Sequence, residues 1–144
     1  MIKEFSAGLI VFFQQPDKDR EYLLLHYQSG HWDFPKGHIE NDESKKEAAK
    51  RELKEETNLE AHIIDGFEES LSYFHHLPKT NELAFKVVCF FVGVVKEKNV
   101  QLSHEHIDYA WMPYDKALKK LTYDNAKEML KKVETFLNNQ KAYK

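Results

Sequence analysis

The run at residues 82–95 (ELAFKVVCFFVGVV) constrains the fold most, because it is the strongest strand signal in the chain. It is rich in aromatic and β-branched residues and contains no proline, which is typical of a β-strand. A second run at residues 5–13 (FSAGLIVFF) is also apolar and predicts a buried strand. These two runs indicate that the fold is built around a β-sheet.

Shorter segments predict the remaining elements. Further strands are expected at residues 21–27, which would form a hairpin with the first strand, and at 62–64, around 67–73 and at 107–112. Helices are expected at residues 43–57, at 113–121 and near the C-terminus, where apolar residues repeat at helical spacing: Ala126, Met129, Leu130, Val133, Phe136 and Leu137. We expect a loop at residues 75–81, a cap of the last helix at Thr122 or Asp124, and a frayed tail at residues 138–144.

Strands outnumber helices, and one helix separates two groups of strands. The predicted fold class is therefore α/β (α+β), a mixed β-sheet sandwiched between α-helices. The chain of 144 residues is long enough for one domain with one real core, so we predict a single domain at residues 1–144.

The net charge and the lengths of the apolar runs indicate which classes of binding partner to expect. The formal net charge of −3 gives no bulk basicity for DNA binding, and the apolar runs are too short to span a membrane. The single cysteine, Cys89, lies in an apolar run and is expected to be buried, and no intramolecular disulfide can form. We therefore expect a cytoplasmic protein without a membrane or DNA partner.

The helix predicted at residues 43–57 crowds three carboxylates onto one side. At about 100° per residue, Glu52, Glu55 and Glu56 fall within an arc of about 100°. Like charges at this spacing cost a few tenths of a kcal/mol per pair, a penalty that a bound cation would remove. Nearby Lys and Arg residues offer a simpler interpretation, in which the carboxylates form an ordinary solvated face.

The ends of this helix carry capping signals. Asn41 and Asp42 are candidate N-caps, and Ser44 with Glu47 has the spacing of a capping box. Asn58 could end the helix in the left-handed conformation.

One set of residues around this helix has the spacing G-x5-E-x7-R-E-U-x-E-E-x-G-U, where U is aliphatic: Gly37, Glu43, Arg51, Glu52, Leu53, Glu55, Glu56 and Leu59. The pattern resembles the signature of the Nudix hydrolases. Only Asn58 departs from it, at a position where the pattern has Gly. Asn tolerates the same left-handed turn, so the departure is expected to be harmless.

The resemblance implies the Nudix fold and a metal site. Glu52, Glu55 and Glu56, with a backbone oxygen near Gly37, would bind Mg²⁺, for which Mn²⁺ could substitute; oxygen ligands suit such hard cations. Two further residues of the pattern, Glu43 and Arg51, would pair with neighbouring charges and hold the structure of the motif, although ordinary surface charges are the alternative.

Features outside the motif resemble the asymmetrical diadenosine tetraphosphate hydrolases within the Nudix family. They are HWDFPKGHIE at residues 31–40, the region of Tyr73 followed by PKT at 78–80, and LSHEH at 102–106. The resemblance implies phosphate contacts from His31, Lys36 and Lys79, stacking of adenine between Tyr73 and Tyr123, and an additional carboxylate, Glu105. Tyr73 could instead be a structural aromatic, and the register that assigns Tyr123 is less defined.

The resemblance implies Mg²⁺-dependent hydrolysis of diadenosine tetraphosphate to ATP and AMP. Glu52 and Glu105 are both candidates for the general base, and sequence does not separate them. The alternatives are a nucleoside triphosphate, a nucleotide sugar or an RNA 5′ end as substrate, or a Nudix domain that binds nucleotides without catalysis. His104 and His106 beside Glu105 leave a transition-metal site as a further alternative.

Overall fold

A computed structural model describes residues 1–143 and contains eight strands, three α-helices and a final 3₁₀ turn within them. The elements follow one another as β1 (Ile2–Phe13), β2 (Glu21–Tyr27), β3 (Trp32–Asp33), β4 (Lys36–His38), α1 (Lys45–Thr57), β5 (His62–Ile63), β6 (Glu69–His76), β7 (Leu83–Val94), β8 (His106–Pro113), α2 (Tyr114–Lys120), α3 (Asp124–Asn138) and the 3₁₀ turn Lys141–Tyr143. None of the described helices is long and apolar enough to cross a membrane.

The two apolar runs lie side by side at the centre of one mixed sheet. Strands β1 and β7 pair in parallel over nearly their whole length, from Ile2 opposite Ala84 to Phe12 opposite Val94. All other pairings are antiparallel, and the central order is β3-β2-β1-β7-β5, with β4, β6 and β8 attached to β1, β7 and β2. The expected hairpin of β1 and β2 forms.

Helices cover both faces of the sheet, which confirms the predicted architecture. Alternate residues of β1 point to opposite sides, so Ile10 and Phe12 pack against α2 and α3, whereas Leu9 and Val11 pack against α1. Each face thus has its own buried cluster. Cys89 is 3% exposed and belongs to the α1 side.

The strand β1 has two different partners on the side away from β7, and this split positions the short strand β4. Only Phe12 and Phe13 pair with β2, while Ser6, Ala7 and Gly8 pair with β4. A Cβ at residue 8 would lie 2.6 Å from the carbonyl oxygen of Pro35, so glycine allows this close approach. The pairing fixes the backbone that carries Lys36 and Gly37.

The helix α1 begins two residues later than expected. Its N-cap is Ser44, which forms the predicted capping box with Glu47, whereas Asp42 lies in a turn with φ 66° and Asn41 is not the cap. The C-cap is Asn58 with φ 63° and ψ 13°, the left-handed conformation that the sequence indicated.

Three local expectations were wrong. The segment predicted as a loop at residues 75–81 starts later, because β6 continues to His76 through pairing with Leu83. Neither Thr122 nor Asp124 caps α3: the N-cap residue is Tyr123, and no side chain caps the helix.

The tail is also more ordered than the prediction of fraying. The ring of Tyr143 packs edge-on against Phe12 at a centroid distance of 5.3 Å, and its carbonyl accepts a hydrogen bond from the buried Arg20. These long-range contacts hold the C-terminal turn, and a local pattern cannot indicate them. Lys144 lies outside the described residues.

The left-handed C-cap predicts how substitutions at residue 58 change stability. The side chain of Asn58 is exposed, so the backbone conformation dominates its contribution. We expect Asn58→Ala to lower the free energy of unfolding by about 1 kcal/mol relative to Asn58→Gly, because a Cβ is strained in this conformation. Urea denaturation of the two variants measures the difference. Equal midpoints would show that left-handed strain does not govern this position.

Candidate metal and anion site

A cleft of about 790 Å³ opens where α1, β4, β6, β7 and the loop before β8 meet. It brings together every residue that the sequence assigned to metal binding or proton transfer: Gly37, Glu52, Glu55, Glu56 and Glu105. These residues lie on three separate segments of the chain. The fold therefore assembles the predicted acidic cluster.

The carboxylates of α1 differ in their exposure to solvent. The side chain of Glu52 is 16% exposed, that of Glu55 is 58% exposed and that of Glu56 is 4% exposed. Ala48, Ala49 and Leu53 pack α1 against the sheet. The exposure of the carboxylates on the acidic side of the helix therefore decreases from the solvent side to the interior. The three oxygen donors thus line a path from the surface into the protein.

Backbone hydrogen bonds bring Glu105 to the same cleft. The amide of Gln101 donates to the carbonyl of Thr57 at 2.9 Å, and the amide of Ser103 donates to the carbonyl of Glu56 at 3.1 Å. The loop before β8 is thereby tied to the C-terminal end of α1. This attachment puts the exposed Glu105 beside the carboxylates of the helix.

Gly37 lies directly against the carboxylate of Glu52. A Cβ at residue 37 would be 2.0 Å from Cδ of Glu52 and 2.2 Å from Oε2, far inside van der Waals contact. Gly37 pairs with Ala7 of β1, which fixes its backbone. Any larger residue at position 37 would displace the carboxylate.

Arg51 joins the loop before α1 to the acidic side of the helix. Its guanidinium donates to Glu43 at 2.6 and 3.0 Å and to the carbonyl of His38 at 2.9 Å. It also contacts Glu52 at 3.0 Å and Glu55 at 3.2 Å. Glu43 is the main cause that holds the pKa of Arg51 above its ordinary value, and Arg51 lowers the pKa of Glu43. These contacts support the structural role expected of both residues.

Burial makes Glu56 the most perturbed carboxyl of the cleft. Loss of solvent raises its pKa from 4.5 to about 7; His106 opposes this shift, and the charges of Glu52 and Glu105 add to it. The Nε2 atom of His106 lies 3.1 Å from Oε2 of Glu56 without the alignment of a hydrogen bond, and Oε1 of Glu56 has no partner among the described residues. Burial also raises the pKa of Glu52. A nearby cation would stabilise both carboxylates in the charged form.

The two histidines that flank Glu105 do not share a site. His106 is buried against Glu56 and the ring of Tyr27, whereas His104 is exposed. Among residues 1–143, no group of three or more His, Cys, Asp and Glu side chains could hold a metal ion by itself. A cation at the carboxylates of α1 would therefore need backbone, water or substrate oxygens as well, and the two histidines form no such group. This arrangement contradicts the alternative of a transition-metal site at His104 and His106.

A second cavity of about 460 Å³ adjoins the acidic cleft and contains the two predicted stacking residues, Tyr73 and Tyr123. The two cavities share the side chains of His31, Lys36, Tyr73 and His75, which lie at their boundary. The rings of His31 and Tyr123 are 5.4 Å apart, and Tyr123 is 50% exposed. An aromatic pocket is thus continuous with a cleft of carboxylates.

The predicted phosphate contacts are only partly assembled. Lys36 lies at the boundary of the cavities, where its ammonium is 2.9 Å from the buried Asp33. Burial lowers the pKa of this ammonium, but the charge of Asp33, the hydrogen bond to it and the nearby Tyr73 and Tyr123 together raise the pKa above its ordinary value. Lys79 lies in the exposed turn between β6 and β7 and lines neither cavity.

Sequence reasoning did not select several residues that line the cleft, among them Tyr27, His75 and Lys86. The hydroxyl of Tyr27 donates to the carbonyl of Phe34 at 2.7 Å, and His75 contacts Glu4 at 2.5 Å. Burial, followed by the charge of Lys36, lowers the pKa of Lys86. A lone lysine within the apolar run of β7 was the signal that could have indicated Lys86.

The donor set can hold a hard divalent cation at one end and an anion at the other. Carboxylates and backbone oxygens are the ligands that Mg²⁺ prefers, and it commonly shares them with substrate phosphates. The cations Lys36 and Lys86, with His31 beside them, suit a polyphosphate chain. The tyrosine-lined pocket suits a nucleobase.

Comparisons with known proteins bear on the family and the fold. The family model described as NUDIX domain matches residues 5–133. The asymmetrical bis(5′-nucleosyl)-tetraphosphatase of Mus musculus is 36% identical over 145 aligned positions, covering 92% of this chain and 94% of that protein. The crystal structure of a C. elegans Ap4A hydrolase binary complex superposes with a TM-score of 0.82 at 31% identity, covering 95% of this chain and 99% of that one. The E. coli dihydroneopterin triphosphate pyrophosphohydrolase, at 18% identity and a TM-score of 0.72, shares the fold.

The contact of Gly37 with Glu52 predicts that Gly37→Ala weakens binding of divalent cations. The added methyl group would push the carboxylate from its position, so we expect the affinity for Mn²⁺ to fall about tenfold or more. Calorimetry or Mn²⁺ paramagnetic resonance measures it. Gly30→Ala is the control, because a Cβ there meets open space, although its φ of 103° will cost some stability. Wild-type affinity in Gly37→Ala would contradict the assigned geometry.

The raised pKa of Glu56 predicts a pH dependence of stability in the metal-free protein. Between pH 4.5 and about 7 the folded carboxyl keeps a proton that the unfolded chain has lost, so stability falls as the pH rises. We expect wild type to lose about 1 to 3 kcal/mol relative to Glu56→Gln between pH 5 and pH 8. Chemical denaturation in a chelator measures this difference. A parallel pH dependence of the two proteins would show that Glu56 titrates normally.

Proposed function

Because the chain belongs to the Nudix family, we propose that it hydrolyses dinucleoside polyphosphates, chiefly diadenosine tetraphosphate, to ATP and AMP with Mg²⁺. The observation that carries the proposal is the continuity of the tyrosine-lined pocket with the acidic cleft through His31, Lys36 and Tyr73. A substrate with a nucleoside at the end of a long phosphate chain fits this succession. The names of the mouse and worm relatives support the same substrate class.

The pocket would take one adenine between Tyr73 and Tyr123. Stacking suits a purine and orients the nucleoside so that its phosphates pass the boundary residues. The ammonium of Lys36, which Asp33 holds in position, would contact the phosphates at the boundary of the two cavities as a point charge. His31 lies beside it. Lys86 would meet phosphates farther inside the cleft. Lys79 remains a proposed phosphate contact at the outer end of the chain, where its turn is exposed.

The residues present fit a divalent cation. Oε1 of the buried Glu56 lacks a protein partner, and Gly37 leaves room for the carboxylate of Glu52. Glu52, Glu55 and Glu56, with a backbone oxygen near Gly37, would hold Mg²⁺, and Mn²⁺ would substitute for it. The bound cation would neutralise charge that develops on the phosphates.

The side chains of the cleft would direct a single displacement. A water oxygen forms a bond to a phosphorus of the bridge while the P–O bond to the leaving phosphate chain breaks. A carboxylate accepts the proton of the water, and the candidates are Glu52 on α1 and Glu105 on the loop before β8. Lys36 and His31 stabilise the negative charge on the phosphate chain.

A reducing, cytoplasmic environment is part of the proposal. It rests on Cys89, which is buried and unpaired. We propose the small dinucleotide as the partner, and we expect neither DNA nor a membrane to be bound; an RNA 5′ end would be a partner only under the alternative substrate.

Product analysis tests the proposed reaction. Incubation of diadenosine tetraphosphate with the protein and Mg²⁺ in ¹⁸O-labelled water, followed by anion-exchange chromatography, should give equimolar ATP and AMP. The nucleotide that carries the label identifies the attacked phosphorus. Two molecules of ADP would exclude the asymmetrical reaction. Pyrophosphate released from ATP without cleavage of the dinucleotide, or hydrolysis of only a nucleotide sugar or a triphosphorylated RNA 5′ end, would exclude this substrate.

In the same assay, Glu52→Gln should lower kcat by about 10²- to 10⁴-fold with a modest effect on substrate binding, because the amide cannot accept a proton or hold the cation as firmly. Glu60→Gln is the matched control, since that carboxylate is exposed and lies outside the cleft. Turnover close to wild type in Glu52→Gln would remove Glu52 from the mechanism. Tight binding by wild type without any hydrolysis would instead indicate a nucleotide sensor.

A further inference from the structure

The position of Tyr123 needs an explanation, because its own contacts are few. The residue is 50% exposed and precedes α3 without a side-chain cap. Its ring is near that of His31, at a tilted 5.4 Å. A tyrosine in an exposed linker between two helices would sample many orientations unless the neighbouring backbone is fixed.

Thr122, the residue before Tyr123, is fixed by two hydrogen bonds to Trp32 of β3. The hydroxyl of Thr122 accepts from the amide of Trp32 at 2.8 Å, and the amide of Thr122 donates to the carbonyl of Trp32 at 3.3 Å. Thr122 thus binds both backbone groups of Trp32. The hydroxyl that the sequence suggested as a helix cap is used instead to attach the linker to β3.

Trp32 is itself held in place by the sheet and by aromatic stacking. It pairs with His26 of β2, and the rings of the two residues stack at 4.5 Å with an interplanar angle of 6°. The ammonium of Lys120 lies 4.7 Å from the centre of the Trp32 ring. Lys120 at the end of α2 and Thr122 in the linker therefore both contact Trp32, and Leu121 between them is buried in the core.

We propose that Thr122 is a positioning residue that holds Tyr123 as the outer wall of the aromatic pocket. His31 precedes Trp32 in the chain, and Tyr123 follows Thr122. The hydrogen bonds between Trp32 and Thr122 therefore keep the rings of His31 and Tyr123 close to each other. This inference rests on the proposed function, in which Tyr123 stacks on an adenine. Thr122 acts through Tyr123 and touches neither the phosphates nor the carboxylates of the cleft.

The proposal makes a specific kinetic prediction. The base lies away from the reacting phosphorus, so a weaker pocket wall lowers binding of the substrate and of the transition state equally. The loss of one hydrogen bond in Thr122→Val should raise KM for diadenosine tetraphosphate about three- to tenfold and leave kcat within about twofold. Thr122→Ser keeps the acceptor and should retain the wild-type KM.

A double-mutant cycle separates positioning from general damage. In the background Tyr123→Ala, which removes the ring, Thr122→Val should have no further effect on KM. An equal increase of KM with and without the ring would overturn the proposal, as would a loss of kcat at unchanged KM.

A measurement without substrate keeps this test independent of the proposed function. Nuclear Overhauser effects between the rings of His31 and Tyr123 should be present in the wild type and in Thr122→Ser and should be lost in Thr122→Val. Their persistence in Thr122→Val would overturn the proposal even if the protein cleaves the dinucleotide. If the dinucleotide is not cleaved, the proposed function fails, while this measurement still decides whether Thr122 positions Tyr123.

Discussion

The close approach of the Glu52 carboxylate to Gly37 is the constraint on which the cleft depends. The two residues belong to different elements, so both backbones must be fixed before the carboxylate has a defined position. Pairing of β4 with β1 fixes one of them, and it requires Gly8, where a Cβ would meet the carbonyl of Pro35. Packing of Leu53 in the buried cluster between α1 and the sheet fixes the backbone of α1, which carries Glu52. The position of the Glu52 carboxylate therefore depends on two glycines, Gly8 and Gly37.

The electrostatic arrangement of the cleft is asymmetric, and this asymmetry favours a cation. Arg51 neutralises the acidic side of α1 toward the preceding loop, where it contacts Glu43, Glu52 and Glu55. Glu56 lies away from Arg51, buried beside His106, with one oxygen that has no partner among the described residues. Burying a carboxylate in this way costs free energy unless a positive charge compensates it. Arg51 orders one side of the cluster, and the other side is left for a ligand.

The sequence predicted those features that depend on neighbours along the chain. The left-handed Asn58 and the capping box of α1 follow from local backbone chemistry, and the two apolar runs predicted the central strands β1 and β7. The prediction was wrong where the local structure depends on a residue far away in the sequence. Thr122 has the pattern of a helix cap, but it hydrogen-bonds instead to the backbone amide and carbonyl of Trp32. The tail is ordered because Tyr143 packs on Phe12. No local pattern contains those partners.

The two cavities share residues at their boundary, but their outer walls come from different parts of the chain, which has a consequence for specificity. The acidic cleft is built largely by β4 and α1, and the spacing of the motif brings the carboxylates of α1 together there. The aromatic pocket is built by β6 and the beginning of α3, and its outer wall depends on an exposed linker. A substitution in the linker can reshape the pocket without moving a carboxylate, since no element is shared between Tyr123 and Glu52. Discrimination among nucleosides can therefore vary independently of the hydrolytic chemistry, and contacts such as that between Thr122 and Trp32 set the limits of this variation.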